Sequence, residues 1–227
     1  LGDVSAVGPG EPDNDSFPEP EFDDELEQEW LAEWEQVDRD AVDLLRGALS
    51  DHRGAPPPAE LGAAAAAVRA GLADDRHSLI WVRNAAGFES EQPPHDDAEL
   101  LISCTAATIS PREETGLDVE EEALLLSLDH ADWLGAIVSL VRAGPGADAS
   151  PDSLVDGIRN CPEVDLESEI DIHDASTLDA AFWMIVVPWH LLGLTDRDER
   201  LTPLGAWVLP RALARAWQGD FDQELTE

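Results

Sequence analysis

The chain has 227 residues, 43% of them apolar, enough to build a packed core in one large domain or two small ones. Fifty acidic side chains stand against thirteen basic ones, all arginine, for a formal net charge of -37, and there is no tyrosine. Nonspecific binding to DNA, RNA or an anionic membrane is driven by Lys and Arg neutralising phosphate, so this balance argues against all three as direct partners.

Cys104 and Cys161 lie too far apart for a C-x-x-C pair and are too few for a disulfide framework, so both read as buried thiols of a reducing compartment. Leu1-Gly2-Asp3-Val4 has neither a basic region nor a following apolar run, and no secretory signal is expected in it. The longest apolar stretch, Ala180 to Leu194, contains Pro188 and His190 and falls short of the roughly 18 to 20 residues that span a bilayer. The expectation is a soluble, cytoplasmic protein. Absent lysine beside abundant Ala, Arg, Gly and Pro matches a GC-rich coding sequence, and surplus carboxylate is also a solubility device at high salt.

Residues 1–22 carry Pro9, Pro12, Pro18 and Pro20 with no apolar period and read as a disordered acidic leader. From Asp23 the pattern changes. Leu26, Trp30, Trp34, Val37, Ala41, Leu44 and Ala48 recur at steps of three and four, one face of an amphipathic acidic helix over 23–54, with Asp23, Asp24 and Glu25 at its start and Arg46, His52 and Arg53 near its end. An acidic helix with an aromatic stripe lies in a groove, either on its own chain or on a partner. Trp30, Trp34, Val37 and Leu44 are the candidate partner-binding residues, with packing on the chain's own core as the competing reading.

After the stiff run Ala55-Pro56-Pro57-Pro58, residues 58–115 read as a small α/β module. It has a helix over Glu60 to Leu72, short strands at Ser78 to Val82 and Leu101 to Thr105, and a polar loop from Glu89 to Asp97. Residues 116–220 form the next unit, and 221–227 a tail. Ala123 to Leu128 starts a helix, and a second carries Trp133, Leu134, Ile137, Val138, Leu140 and Val141 before Gly144-Pro145-Gly146 stops it. Ser150-Pro151 opens a short helix with Leu154 and Ile158 inward. Asp174 or Ser176 caps another, with Leu178, Phe182 and Ile185 inward, which Pro188 kinks or ends. Leu192 to Thr195 and Arg200-Leu201 flank the polar turn Asp196-Arg197-Asp198-Glu199 as a hairpin, and Thr202-Pro203 caps a closing helix from Leu204 to Trp217.

Helix, short helix, helix, hairpin, helix is the order of a winged-helix unit, and LLGLTDRDERLTPLGAWVL resembles the wing of such domains, in which a Gly-Leu turn, a polar tip and a Leu-Thr-x-x-Gly segment lead into the closing helix. The resemblance covers roughly residues 125–218 and is to winged-helix domains such as those in uncharacterised proteins from GC-rich bacteria. It implies a shape, not a function. A DNA-reading member projects Arg, Lys, Asn or Gln from its recognition helix, whereas the matching STLDAAFWMIVVPWHLLGL has none.

No Gly-x-Ser-x-Gly elbow, phosphate-binding Gly-rich loop or HExxH occurs, and no catalytic residue, metal ligand or cofactor is assigned. His95-Asp96-Asp97, Asp129-His130-Ala131-Asp132 and Asp171-Ile172-His173-Asp174 are His/carboxylate sets of a kind that holds divalent metal, but with fifty acids such neighbours arise by chance and read as caps and loops. His190 reads as a core histidine, and Trp133, Trp183, Trp207 and Trp217 as core fillers.

The fold expected is thus mainly α with a little β: an N-terminal helical arm, a small α/β module and a C-terminal winged-helix-like domain. The function expected is a non-enzymatic interaction or regulatory role, with a protein partner or self-association and no direct contact with nucleic acid or membrane. Two alternatives stand beside it. Carboxylates ranged at phosphate-like spacing would make the protein a nucleic-acid mimic, and a pocket joining Asp129, His130 and Asp132 would make it a small metal-dependent hydrolase.

Overall fold

The computed structural model describes residues 47, 55–73, 77–88, 92–111, 115–126, 128, 130–160 and 175–216. The leader, the tail and, apart from Gly47, the helix expected over 23–54 lie outside the described residues. What is described is mainly α. In chain order the helices are α1 (Leu61–Ala73), α2 (His77–Ala85), α3 (Asp97–Ile109), α4 (Val119–Leu126), α5 (His130–Ala143), α6 (Pro151–Arg159), α7 (Ala175–Leu191) and α8 (Pro203–Ala216).

The α/β module expected over 58–115 is instead three helices. Ser78 to Val82 belongs to α2, where Leu79, Val82 and, just past the helix end, Ala86 are buried at steps of three and four, the period of a helix and not of a strand. Leu101 to Thr105 belongs to α3, the central helix, in which Leu100, Leu101 and every residue from Ser103 to Ile109 are buried. A short apolar run rich in β-branched residues fits a buried helix as well as a buried strand, and packing decides between them. Small side chains at Ser103, Ala106 and Ala107 let neighbours approach α3 from several sides. It packs most extensively on α8 and also on α1, α2 and α7.

The ends of the helices follow from local chemistry. Asp96 caps α3 by accepting from the Glu99 N–H at 2.8 Å. Asp118 caps α4, its Oδ1 accepting from the N–H groups of Glu120 and Glu121, while Glu121 reaches back to the Asp118 N–H. α5 stops where Gly144 takes φ +79° and its N–H reaches the carbonyls of Leu140 and Val141. α6 begins with Ser150 and Pro151 and buries Leu154, Val155 and Ile158 against α5. Their approach is close: a Cβ on Gly157 would lie 3.3 Å from that of Ser139. α7 continues through Pro188 to Leu191, so that proline does not end the helix. α8 starts at Pro203, with Thr202 Oγ1 accepting from the Gly205 N–H at 2.9 Å.

Among the described residues no strand forms, and the expected hairpin is a bridged turn. Isolated antiparallel bridges join Thr195 to Leu201 and Asp148 to Arg200. Leu201 donates to the Ala147 carbonyl and accepts from the Gly146 N–H, while Thr202 donates to the Leu194 carbonyl. Residues 199–202 thus lie between 146–149 on one side and 194–196 on the other. Aromatic rings fill the core beneath: Trp133 meets Phe182 edge to face at 5.8 Å and lies 6.2 Å from Trp189.

Candidate functional site

Trp30, Trp34, Val37 and Leu44, the candidate partner-binding residues, lie outside the described residues, as do Cys161, Asp129, Trp217 and the set around His173. The other His/carboxylate sets resolve into structural duties where they are described. Asp96 is the α3 cap, and Asp97 accepts a hydrogen bond from Arg69 at 2.6 Å in an ion pair across to α1. Arg69 also reaches the carbonyls of Pro94 and His95, leaving that loop pinned to α1 while the His95 side chain is exposed. Asp132 is buried on the first turn of α5, and of His130 only the backbone is described. Among the described residues no group of three or more His, Cys, Asp or Glu side chains is placed to hold a metal ion.

Cys104 is fully buried on α3, and desolvation pushes its thiol up to about 12. A thiol that stays protonated at physiological pH is no nucleophile. Alkylation of the native protein at pH 8 followed by peptide-resolved mass spectrometry is therefore expected to leave Cys104 unmodified until the protein unfolds. Rapid labelling under native conditions would contradict its burial.

A cleft of about 170 Å³ opens between α5 and the start of α6, lined by Ser139, Leu140, Asp148, Ser153 and their neighbours. Its polar groups are already engaged. Ser139 donates to the Gly157 carbonyl, Ser153 lies in hydrogen-bond contact with Ser150, and Asp148 accepts from the Ser150 N–H while pairing with Arg200 at 3.3 Å. The bond from Ser150 is the main cause that holds the Asp148 carboxyl below its ordinary range. Among the described residues, this cleft is a braced joint between the 146–149 segment and α6 whose polar lining is taken up by those contacts.

The outer face of α7 differs. Phe182, Ile185, Val186 and Trp189 turn inward, and the opposite stripe leaves Trp183 51% exposed and Val187, one turn later, 44% exposed. Trp183 is therefore not a core filler. His190 also points outward, its Nδ1 lying 3.1 Å from the Asp196 carbonyl, so the core position belongs to its neighbour Trp189. Trp207 is half-buried, donating to the Ala55 carbonyl and stacked beneath the Arg211 guanidinium at 4.0 Å. From Ala180 to Leu191 the helix carries no Asp, Glu or Arg.

At its C-terminal end stands the acidic turn. The Asp196 carboxylate accepts from the N–H groups of Asp198 and Arg200 at 2.9 and 3.0 Å, and these bonds, that from Arg200 first, hold it below the usual carboxylate range. Asp196 and Asp198 are exposed and Glu199 half-buried. A turn bearing three carboxyl side chains thus follows a helix stretch without Asp, Glu or Arg.

Sequence reasoning missed this face because α7 is apolar all round, which reads as burial on every side. The available signal was the four-residue spacing of Trp183 and Val187 on the side opposite Phe182, Ile185 and Trp189. Among the described residues no helix is long and apolar enough to cross a membrane. No protein-family model matches the chain, and no curated protein or solved structure matches it either.

Proposed function

We propose that this is a non-enzymatic interaction or regulatory protein whose C-terminal half has a winged-helix-like arrangement and does not read DNA. The order α5, the 146–149 segment, α6, α7, the bridged turn 195–201 and α8 supports the arrangement, with α7 in the place of a recognition helix. The observation that carries the functional reading is the outward face of α7. Where a DNA reader presents Arg, Lys, Asn or Gln to base edges and phosphates, this helix presents Trp183, Val187 and His190.

Three of the arginines are already engaged. Arg200 is paired with Asp148, Arg215 with Glu99 and Arg69 with Asp97, each in an ion pair that would have to break before phosphate was bound. Across the whole chain the field of -37 charges opposes any polyanion. A hydrophobic helix face on a rigid scaffold suits contact with another protein instead.

In a mobility-shift assay at low salt, random duplex DNA is expected to form no complex with the full chain. Sub-micromolar binding would overturn the reading, since electrostatic contacts supply most of the nonspecific affinity and would be strongest there.

A further inference from the structure

We propose that the Trp183–Val187 face of α7, together with the acidic turn that follows it, docks a cationic amphipathic helix of a partner protein. This rests on the reading of the chain as an interaction protein and names the surface and the chemistry of what it binds.

Trp183 and Val187 are two of the three large apolar side chains exposed among the described residues, and they share one helix face. The third, Val119, stands by itself at the start of α4. Tryptophan is the residue type that most often anchors an interface, because its ring buries a large area with little loss of rotamer freedom. Here the ring is flanked along the helix by the half-buried Ala180, Met184 and Leu191, giving a stripe at steps of three and four that matches an apolar helix face laid against it.

Charge selects the occupant. The stripe itself is neutral, so an apolar face can approach without desolvating an ion. It ends at the C-terminus of α7, whose dipole favours positive charge, and meets through His190 the backbone of the turn that carries Asp196, Asp198 and Glu199. Arg197 is the cation within that turn, and Arg200 at its end is engaged by Asp148. A ligand that is apolar on one side and basic on the flanks satisfies both parts of the surface.

A second copy of this chain is the poorer fit. Two chains of charge -37 repel, and a contact centred on two part-exposed side chains falls well short of the roughly 1,200 Å² that a stable dimer buries. A short helical segment bound with modest affinity fits an anchor of this size.

The test uses the full chain and a fluorescently labelled 14-residue Leu/Lys helix with leucine on one face, titrated by anisotropy at physiological salt. Its controls are a scrambled peptide of the same composition and a Leu/Glu analogue. The amphipathic cationic peptide is expected to bind with a micromolar Kd and at least tenfold more tightly than either control. Trp183→Ser combined with Val187→Ser is expected to weaken it at least tenfold. Asp198→Asn with Glu199→Gln is expected to weaken it severalfold and to flatten its salt dependence. Hydrogen exchange on the unaltered protein supplies a measurement independent of how the variants fold, with protection expected over residues 180–191 and 196–199.

Absence of binding, binding equal to that of the scrambled peptide, binding that survives loss of Trp183 and Val187, or protection confined to another surface would each overturn the docking site and leave the interaction reading standing. A concentration-dependent dimer in sedimentation that the Trp183/Val187 variant abolishes would give the face to a second copy and likewise overturn it. Sub-micromolar binding of duplex DNA would instead overturn the reading beneath it.

Discussion

Trp189→Ala is expected to destabilise the protein by about 3–5 kcal/mol, the cost of removing a fully buried indole from a close-packed core. For a domain of this size that is a fall in Tm of roughly 6–20 °C. The side chain ties α7 to both α5 and α3. Its ring packs near Trp133, and its Nε1 donates to Thr108 Oγ1 on α3 at 3.0 Å. That hydroxyl in turn donates to the Thr105 carbonyl at 2.7 Å, so the chain of bonds ends on α3's own backbone.

The polar and apolar parts of the effect separate by substitution. Thr108→Val keeps the volume and strands a buried indole N–H, at a cost of about 1–3 kcal/mol. Trp189→Phe with Thr108→Val removes both partners and is expected to cost less than the sum of the two single changes. Thermal or denaturant unfolding measures all three. A loss below about 1 kcal/mol for Trp189→Ala would show that this indole does not hold α7 to α3.

Gly205→Ala is the second large effect, and two terms oppose each other. In the middle of an exposed helix the change would stabilise by about 1 kcal/mol through backbone propensity. On the first turn of α8, however, the new Cβ would collide with the carbonyl oxygen of Leu194 and lie 2.7 Å from Leu201 Cδ1. That carbonyl cannot yield cheaply, because it accepts from the Thr202 N–H at 2.9 Å and shares the Thr202 hydroxyl with the Gly193 carbonyl. Overpacking against fixed backbone wins, with an expected net loss of about 2–3 kcal/mol.

Gly62→Ala on the outer side of α1 is the internal control. Its Cβ would meet only Asp97 Oδ2, at an ordinary 3.6 Å, and it is expected to raise stability by up to about 1 kcal/mol. Equal effects at the two glycines would show that the approach of α8 to residue 194 is looser than described.

Local chemistry made much of the C-terminal half readable from the amino-acid sequence by itself. Ser150-Pro151, Thr202-Pro203 and Gly144 mark helix ends through capping geometry and backbone preference that depend on a few adjacent residues, and α6 and α8 begin and α5 ends there. The turn at Asp196–Glu199 was readable for the same reason, and so were α1 and the mainly helical class, where apolar residues recur beside exposed ones.

Only the tertiary structure decided three things. It made α2 and α3 helices, because a run such as Leu101 to Thr105 mixes apolar and small hydroxyl side chains without a period that distinguishes strand from helix. It turned Trp189 and not His190 into the core. It left Trp183 and Val187 outward on α7, so the candidate docking face was not legible in advance. Periodicity reports orientation only where one face is polar, and α7 is apolar on every side. Its neighbours α2, α3, α4 and α6 determine which of its apolar residues are covered.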